Sequence, residues 1–490
     1  MNEFQRLQAQ IGAIYAVNKA DSNTPHCVVV LPSFSVGESL LSHYASRLPA
    51  LEHRFLLCLM NLRMPATRIL YVCSARPAVE VVEHYFSLLQ PSIQSEARKR
   101  FQIIVADDPS ARPVAAKLLD RPDLIEEILA WVGDDPAFIE PWNVAEPEQK
   151  LALRLGLPLF GTPTELWPMG FKSAGRKLLS EAGVPIPSGI EDLSTVAAGV
   201  AAIDRLRALK PELTAVILKH DDSGAGDGNA VIRVDDLEPP GSEVAHQRLR
   251  SRINSLEHWY VDELKLGFVV EEMIIGDQFS SPSAQLEIGA DGTIKVLSTH
   301  EQILGGDDGQ VYQGCRFPAA SAYAPELGRH AHASAEVLAR RGALGRVAID
   351  FVAASAHRGR WTTYAIEVNL RKTGTTHPFA VLRHLVPGVY DPELGIYLDE
   401  FGQEKYYTAT DNLVDEAWTG ISEGAVIAAI ADAGIGFDLG SRTGVVPHML
   451  SCLAIDGRFG ITAIANSRTG ADELYRSTVA AITQLAMTRN

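Results

Sequence analysis

Asp350, Glu367 and Asn369 stand at the ends of two apolar runs, 347–349 and 363–366. Two carboxylates and an amide oxygen are hard donors. They suit Mg²⁺, which takes one or two carboxylates and leaves its remaining positions to water and substrate phosphates. The polar segment His357-Arg358-Gly359-Arg360 separates the runs, so a hairpin is the natural reading. Strand side chains alternate, which puts Glu367 and Asn369 on one face. Asp350 joins them from the partner strand where the register allows, and Arg371 follows just past them. An antiparallel hairpin with a solvated polar face accounts for these residues equally well. A nucleotide site elsewhere in the chain decides between the two readings.

Three upstream stretches bear on that choice. Lys172 and Lys177 lie on a helix expected over 171–182, stopped by Gly183 and Pro185. Lys219 ends an apolar run and precedes a loop with Gly224, Gly226 and Gly228, then Asn229. Such glycines let backbone N–H groups approach phosphate oxygens, and the lysine adds a point charge. No Gly-Lys-Ser/Thr opens a helix here, so this is not a P-loop; a plain surface turn is the alternative. The third stretch runs from an apolar strand into Glu271 and Glu272, a short link with Met273 and Ile274, then Asp277 and Gln278. Link backbone groups can read an adenine edge. Glu271, Asp277 or Gln278 can accept from an exocyclic amine or ribose hydroxyls. A strand followed by a turn explains the same residues.

The elements that must position these groups fit a multidomain chain of 490 residues, too long for one core. Over 1–165, apolar runs at 27–31, 54–59, 68–72, 101–105 and 137–140 alternate with helical stretches. That pattern indicates a doubly wound α/β domain. No GxGxxG follows an early strand, so a dinucleotide fingerprint is absent. The loop 33–38 lies beyond a strand's carboxyl end, where ligands bind in such folds. Near the other end, 445–455 and 458–464 flank Asp456-Gly457, a hairpin signal, before a helix over 471–487. The net charge of −16 argues against nucleic-acid and anionic-membrane partners. The five cysteines are scattered with no CxxC, no signal-peptide core opens the sequence, and no apolar run reaches membrane-spanning length. A cytoplasmic protein is expected.

The order helix lysine, strand lysine, glycine loop, acid-acid-link, Asp and then Glu-x-Asn resembles the ATP-grasp superfamily over about 165–385. The resemblance implies an α/β and α+β multidomain fold. A Rossmann-like pre-ATP-grasp domain (1–165) would precede an ATP-grasp module of two α+β subdomains (166–385, nucleotide lid about 185–268), followed by a small C-terminal α+β region (386–490). By the same resemblance, Lys172 and Lys219 contact the nucleotide, and 224–229 forms the phosphate lid. Glu271, Glu272, Met273 and Ile274 form the adenine link, and Asp277 or Gln278 meets ribose. Asp350, Glu367 and Asn369 hold Mg²⁺, and Arg371 stabilises phosphate. Ser-Gly-Ala-Gly-Asp-Gly-Asn, Thr-His-Glu-Gln-Ile-Leu-Gly-Gly, Gly-Cys-Arg-Phe-Pro and Glu-Val-Asn-Leu-Arg-Lys-Thr-Gly-Thr-Thr-His-Pro resemble the pheganomycin-type peptide ligases more closely. Leu370-Arg371 departs from the commoner Pro-Arg, which changes chain stiffness but not charge.

The expected activity is therefore ATP-dependent joining of an amino-acid-like carboxylate to an amine or peptide through an acyl phosphate. It would use ATP and one or two Mg²⁺, with Mn²⁺ as a substitute. Arg316 and His300 are candidates for orienting the carboxylate, with a surface ion pair as the plain alternative. A homodimer is a family-level expectation. Phosphotransferase, carboxylase and non-catalytic ATP sensor are the rival readings.

Overall fold

The computed structural model describes residues 2–18, 22–36, 41–42, 44–223, 228–305, 311–355 and 359–489. β1 (His26–Leu31) is buried along its whole length, as a central parallel strand covered on both faces must be. Around it lie β2 (Thr67–Cys73), β3 (Phe101–Val105) and β4 (Ala137–Pro141), all parallel, in the order β3-β2-β1-β4. Alternate residues feed two different cores. Val28, Val30, Ile69 and Tyr71 pack on one face, and Cys27, Val29, Leu31 and Leu70 on the other.

The apolar run expected as a strand at 54–59 is instead a 3₁₀ helix, Arg54–Arg63. Leu56, Leu57, Leu59, Met60 and Leu62 are all buried. An element buried on nearly every side shows no periodicity that separates helix from strand, so the run alone is ambiguous.

A second, antiparallel sheet comprises β5 (Gly189–Leu193), β6 (Ala215–His220), β7 (Asn229–Arg233) and β8 (Phe268–Glu272), in the order β5-β8-β6-β7. Helices Val196–Leu209 and Glu243–Asn254 bury Ile203, Leu249 and Ile253 against its Phe268 and Leu218.

The third sheet is the largest. It contains β9 (Gln278–Ser280), β10 (Pro282–Ile288), β11 (Ile294–Gly305), β12 (Val311–Phe317), β13 (Gly345–Ser355) and β14 (Trp361–Asn369). β15 (Gly388–Asp391) and β16 (Ile396–Asp399) form a separate hairpin. β17 (Tyr406–Val414), β18 (Gly444–His448) and β19 (Arg458–Ala465) then extend the large sheet, which runs β14-β13-β10-β11-β12-β17-β19-β18. The tail thus continues the same hydrogen-bonded ladder. β18 and β19 pair antiparallel as expected, but β18 ends at His448 and helical turns fill Leu450–Asp456. Gly457 (φ 67°) closes those turns in the left-handed conformation that glycine adopts without penalty, so it ends a helix and makes no tight hairpin turn. The five cysteines are unpaired, and no helix among the described residues is long and apolar enough to cross a membrane.

Candidate active site

β13 and β14 are antiparallel with Asp350 opposite Glu367 and Ala348 opposite Asn369. The register shifts between Asp350 and Phe351, a bulge that re-aims side chains at the point where both carboxylates turn inward. Asp350 Oδ2 accepts from Asn369 Nδ2 (3.0 Å), and its Oδ1 accepts from Gln302 Nε2 (2.9 Å) on β11. Glu367 Oε1 accepts from Lys172 Nζ at 2.9 Å. Lys172 opens helix Lys172–Glu181, and its ammonium also donates to the Ser223 carbonyl at 3.0 Å. This lysine therefore ties the large sheet to the edge of the glycine loop.

Lys219 approaches the same space from β6. Its Nζ lies 2.6 Å from Glu271 Oε2, whose other oxygen is 2.8 Å from Arg176 NH1. Arg176 also binds Glu191 at 2.6 Å. Lys172 and Arg176 are four apart, so one helix face supplies both. Glu272 turns outward to Lys210 and caps the Ser188 amide at 2.7 Å. The Glu272 and Met273 amides are engaged with the Ser188 and Ala215 carbonyls.

These groups surround a cavity of about 340 Å³ between the second and third sheets. Lys219, Asn229, the link Glu271 to Ile274, Asp350, Glu367, Asn369 and Arg371 all line it. The structure also adds wall residues that sequence reasoning did not single out, chiefly Gln302, Phe279, Ser283 and Thr375. Gln302 had a readable signal: it lies in the Thr-His-Glu-Gln stretch, one strand repeat beyond His300.

Electrostatics separate the two carboxylates. Burial, then the Glu367 charge, pushes Asp350 up to about 7. Burial also opposes ionisation of Glu367, but Lys172, by charge and hydrogen bond, and then Arg371 hold it below the usual range. Buried Glu271 is likewise kept ionised by Lys219 and Arg176. Arg371 is lowered by burial against the pull of Glu367 and Asp350, and its guanidinium lies 5.2 Å over the Trp142 ring.

Two expected residues lie elsewhere. His300 is fully buried, with Nε2 at 2.6 Å from the Tyr407 hydroxyl and its ring against Phe317. Burial drives its pKa down to about 3, so it is a neutral packing group. Arg316 points away from the cavity, exposed, and pairs with Asp472 of the final helix at 3.1 Å. The expectation that either orients a substrate carboxylate is corrected on geometry: neither reaches the cavity. Asp277 and Gln278 are both exposed and outside the wall, which Phe279 forms instead. Gly224 and Gly226 lie outside the described residues. Gly228 is required locally, because a Cβ there would fall 2.4 Å from the Ser223 side chain.

Among the described residues no group of three His, Cys, Asp or Glu side chains forms a closed metal cage. The site offers two carboxylates and an amide on an open face, which fits a hard divalent cation completed by phosphate oxygens.

Residues 172–375 match the ATP-grasp domain family, and 425–478 match the PGM1 C-terminal domain. The chain is 29% identical over 439 residues to L-propargylglycine–L-glutamate ligase of Streptantibioticus cattleyicolor, covering 88% of this chain and 89% of that protein. In fold it is similar to biotin carboxylase from Campylobacter jejuni (TM-score 0.56, 12% identity, 94% and 95% of the two chains). It is also similar to the biotin carboxylase domain dimer of Hydrogenobacter thermophilus 2-oxoglutarate carboxylase, solved with MgADP, ADP and bicarbonate (TM-score 0.55, 13% identity, 93% and 90%).

Proposed function

We propose, from the ATP-grasp domain match over residues 172–375, that the chain is an ATP-dependent carboxylate–amine ligase of the pheganomycin type. One observation carries the reading: Lys219, the acid-acid link, Asp350, Glu367, Asn369 and Arg371 converge on one cavity from two sheets. The ligase similarity along most of the chain supports it.

In this reading the triphosphate enters between the sheets with adenine against the Met273–Ile274 link. Lys172 and Lys219 meet its phosphates, held in place by Glu367 and the buried Glu271 respectively. Asp350, Glu367 and Asn369 would hold Mg²⁺, in one or two ions, which when bound would neutralise phosphate charge. Arg371, two residues past Asn369, adds positive charge beside them. Substrate carboxylate and triphosphate repel each other, so this charge is needed before they can approach. A carboxylate oxygen then attacks the γ-phosphorus, the bond to the β,γ-bridging oxygen breaks, and ADP leaves. The amine nitrogen attacks the acyl carbon of the acyl phosphate, phosphate departs, and the nitrogen loses a proton to give the amide. Excluding water protects the acyl phosphate from hydrolysis.

The domain limits at 165/166 and 385/386, a homodimer, Mn²⁺ as substitute and a cytoplasmic setting belong to the same proposal. ATP turnover measured against a panel of amino acids and peptides, with detection of amide and free phosphate, tests it. A stable phosphorylated acceptor would make the protein a phosphotransferase. ADP release stimulated by bicarbonate without an amine would make it a carboxylase.

A further inference from the structure

A second cavity, about 120 Å³, lies between the first sheet and helix Thr376–Leu385. It abuts the first. Arg371 lines the nucleotide cavity, Lys372 lines the second, and Thr373 lines both. Three consecutive residues thus form the partition.

The lining is unusually cationic for so small a space. It carries Arg54, Arg346, Lys372 and Arg383 against two acids, Glu140 and Glu287. Lys372 pairs with Glu140 (3.2 Å) and Arg346 with Glu287 (3.3 Å). Arg54 is answered from behind by Asp411 at 2.5 Å. Arg383 has no carboxylate within ion-pair distance among the described residues. Three buried nitrogens of the lining also lack a hydrogen-bond partner: Arg54 Nε, His377 Nε2 and His384 Nδ1. Arg54 and His377 are each only 9% exposed. Buried polar atoms are ordinarily satisfied, so a group of them around one cavity points to a polar ligand. The field agrees: after burial, the charges of Arg383, Arg63 and Arg346 hold His384 well below its usual pKa.

We propose that this cavity seats the carboxylate substrate and selects a small dicarboxylic acid of amino-acid size. One carboxylate would be anchored at Arg383, and the other presented past Thr373 to the γ-phosphate. The inference rests on the ligase reading for the second carboxylate's fate, but the anchoring stands on the cavity alone. The anchored charge matches Arg383, the lining cation left without an ion pair among the described residues, whereas a neutral side chain leaves it without a counter-charge in contact. Small size excludes a peptide here, so the amine partner must approach from elsewhere.

Calorimetry of the full chain with L-glutamate, succinate and L-glutamine tests this, with Arg383→Gln and Arg383→Lys alongside. L-Glutamate and succinate are expected to bind at least about tenfold more tightly than L-glutamine, the effect of one charge-assisted contact. Arg383→Gln should erase the preference and Arg383→Lys restore part of it at an unchanged melting temperature. Equal binding of L-glutamine by the unaltered chain overturns the proposal without need of a variant. The two readings fail separately. Amide formation from neutral acids only, indifferent to Arg383→Gln, overturns the dicarboxylate site and leaves the ligase. Arg383-dependent dicarboxylate binding with no amide from any amine overturns the ligase and leaves the site.

Discussion

Two polar clusters share the large sheet, and β11 runs through both. At Gln302 the strand faces the cavity, where Asp350 and Glu367 sit with their charges only partly answered. Two residues earlier, His300 is enclosed by Phe317, Phe379 and Tyr407 and is neutral. The residues are neighbours on one strand, yet one belongs to a charged opening and the other to packing. Residue type does not set that difference. What decides is whether the facing elements leave room: β6 and β8 stand off from Gln302, while β17 and helix Thr376–Leu385 close over His300.

The largest contrast should come from the charged cluster. Glu367→Gln keeps the shape but removes a charge held by Lys172, and ATP turnover should fall roughly 100- to 1,000-fold with the fold intact. Full turnover in that variant would remove Glu367 from the metal assignment. Lys219→Ala should lose activity on a similar scale, read as kcat with saturating ATP.

Beneath the cavity, Glu271→Ala leaves Lys219 and Arg176 buried without their shared partner. Loss of about 3 kcal/mol in denaturant unfolding is expected, and an unshifted midpoint would show that solvent reaches the pair.

For the enclosed cluster the readout is pH. His300 titrates at 6.5 ordinarily and at about 3 when folded. The unfolded chain therefore takes a proton below 6.5 that the folded chain refuses. The contribution to stability is complete above pH 6.5 and is lost as pH falls toward 3, at up to about 1.4 kcal/mol per pH unit. His300→Phe should flatten that acid limb and leave kcat unchanged; a fall in kcat without a change in the limb would return His300 to the reaction. Smallest of all, Arg316→Ala removes an exposed pair with Asp472 and should cost under about 1 kcal/mol with no change in KM for any substrate.

Much of the nucleotide side was legible because its signals are local. A lysine closing a strand and Glu-x-Asn two apart each depend on one strand's alternation. Asp350 opposite Glu367 was not fixed by alternation, because a bulge beside Asp350 sets the register. The run 54–63 misled because uniform burial erases periodicity. His300 and Gln302 lie on the same strand face, so no local rule could choose between them. The second cavity was illegible altogether: Arg54, Glu140, Glu287 and Arg383 are brought together only by packing distant elements.

The tail's strands carry a last consequence. A chain stopped near residue 385 would leave β12 with the open row of amides and carbonyls that β17 now occupies. Bare edges of that kind template pairing with other molecules. The last hundred residues therefore act as a solubility guard for the catalytic sheet. Shortened forms should be recovered as aggregates, whatever their intact active-site sequence promises.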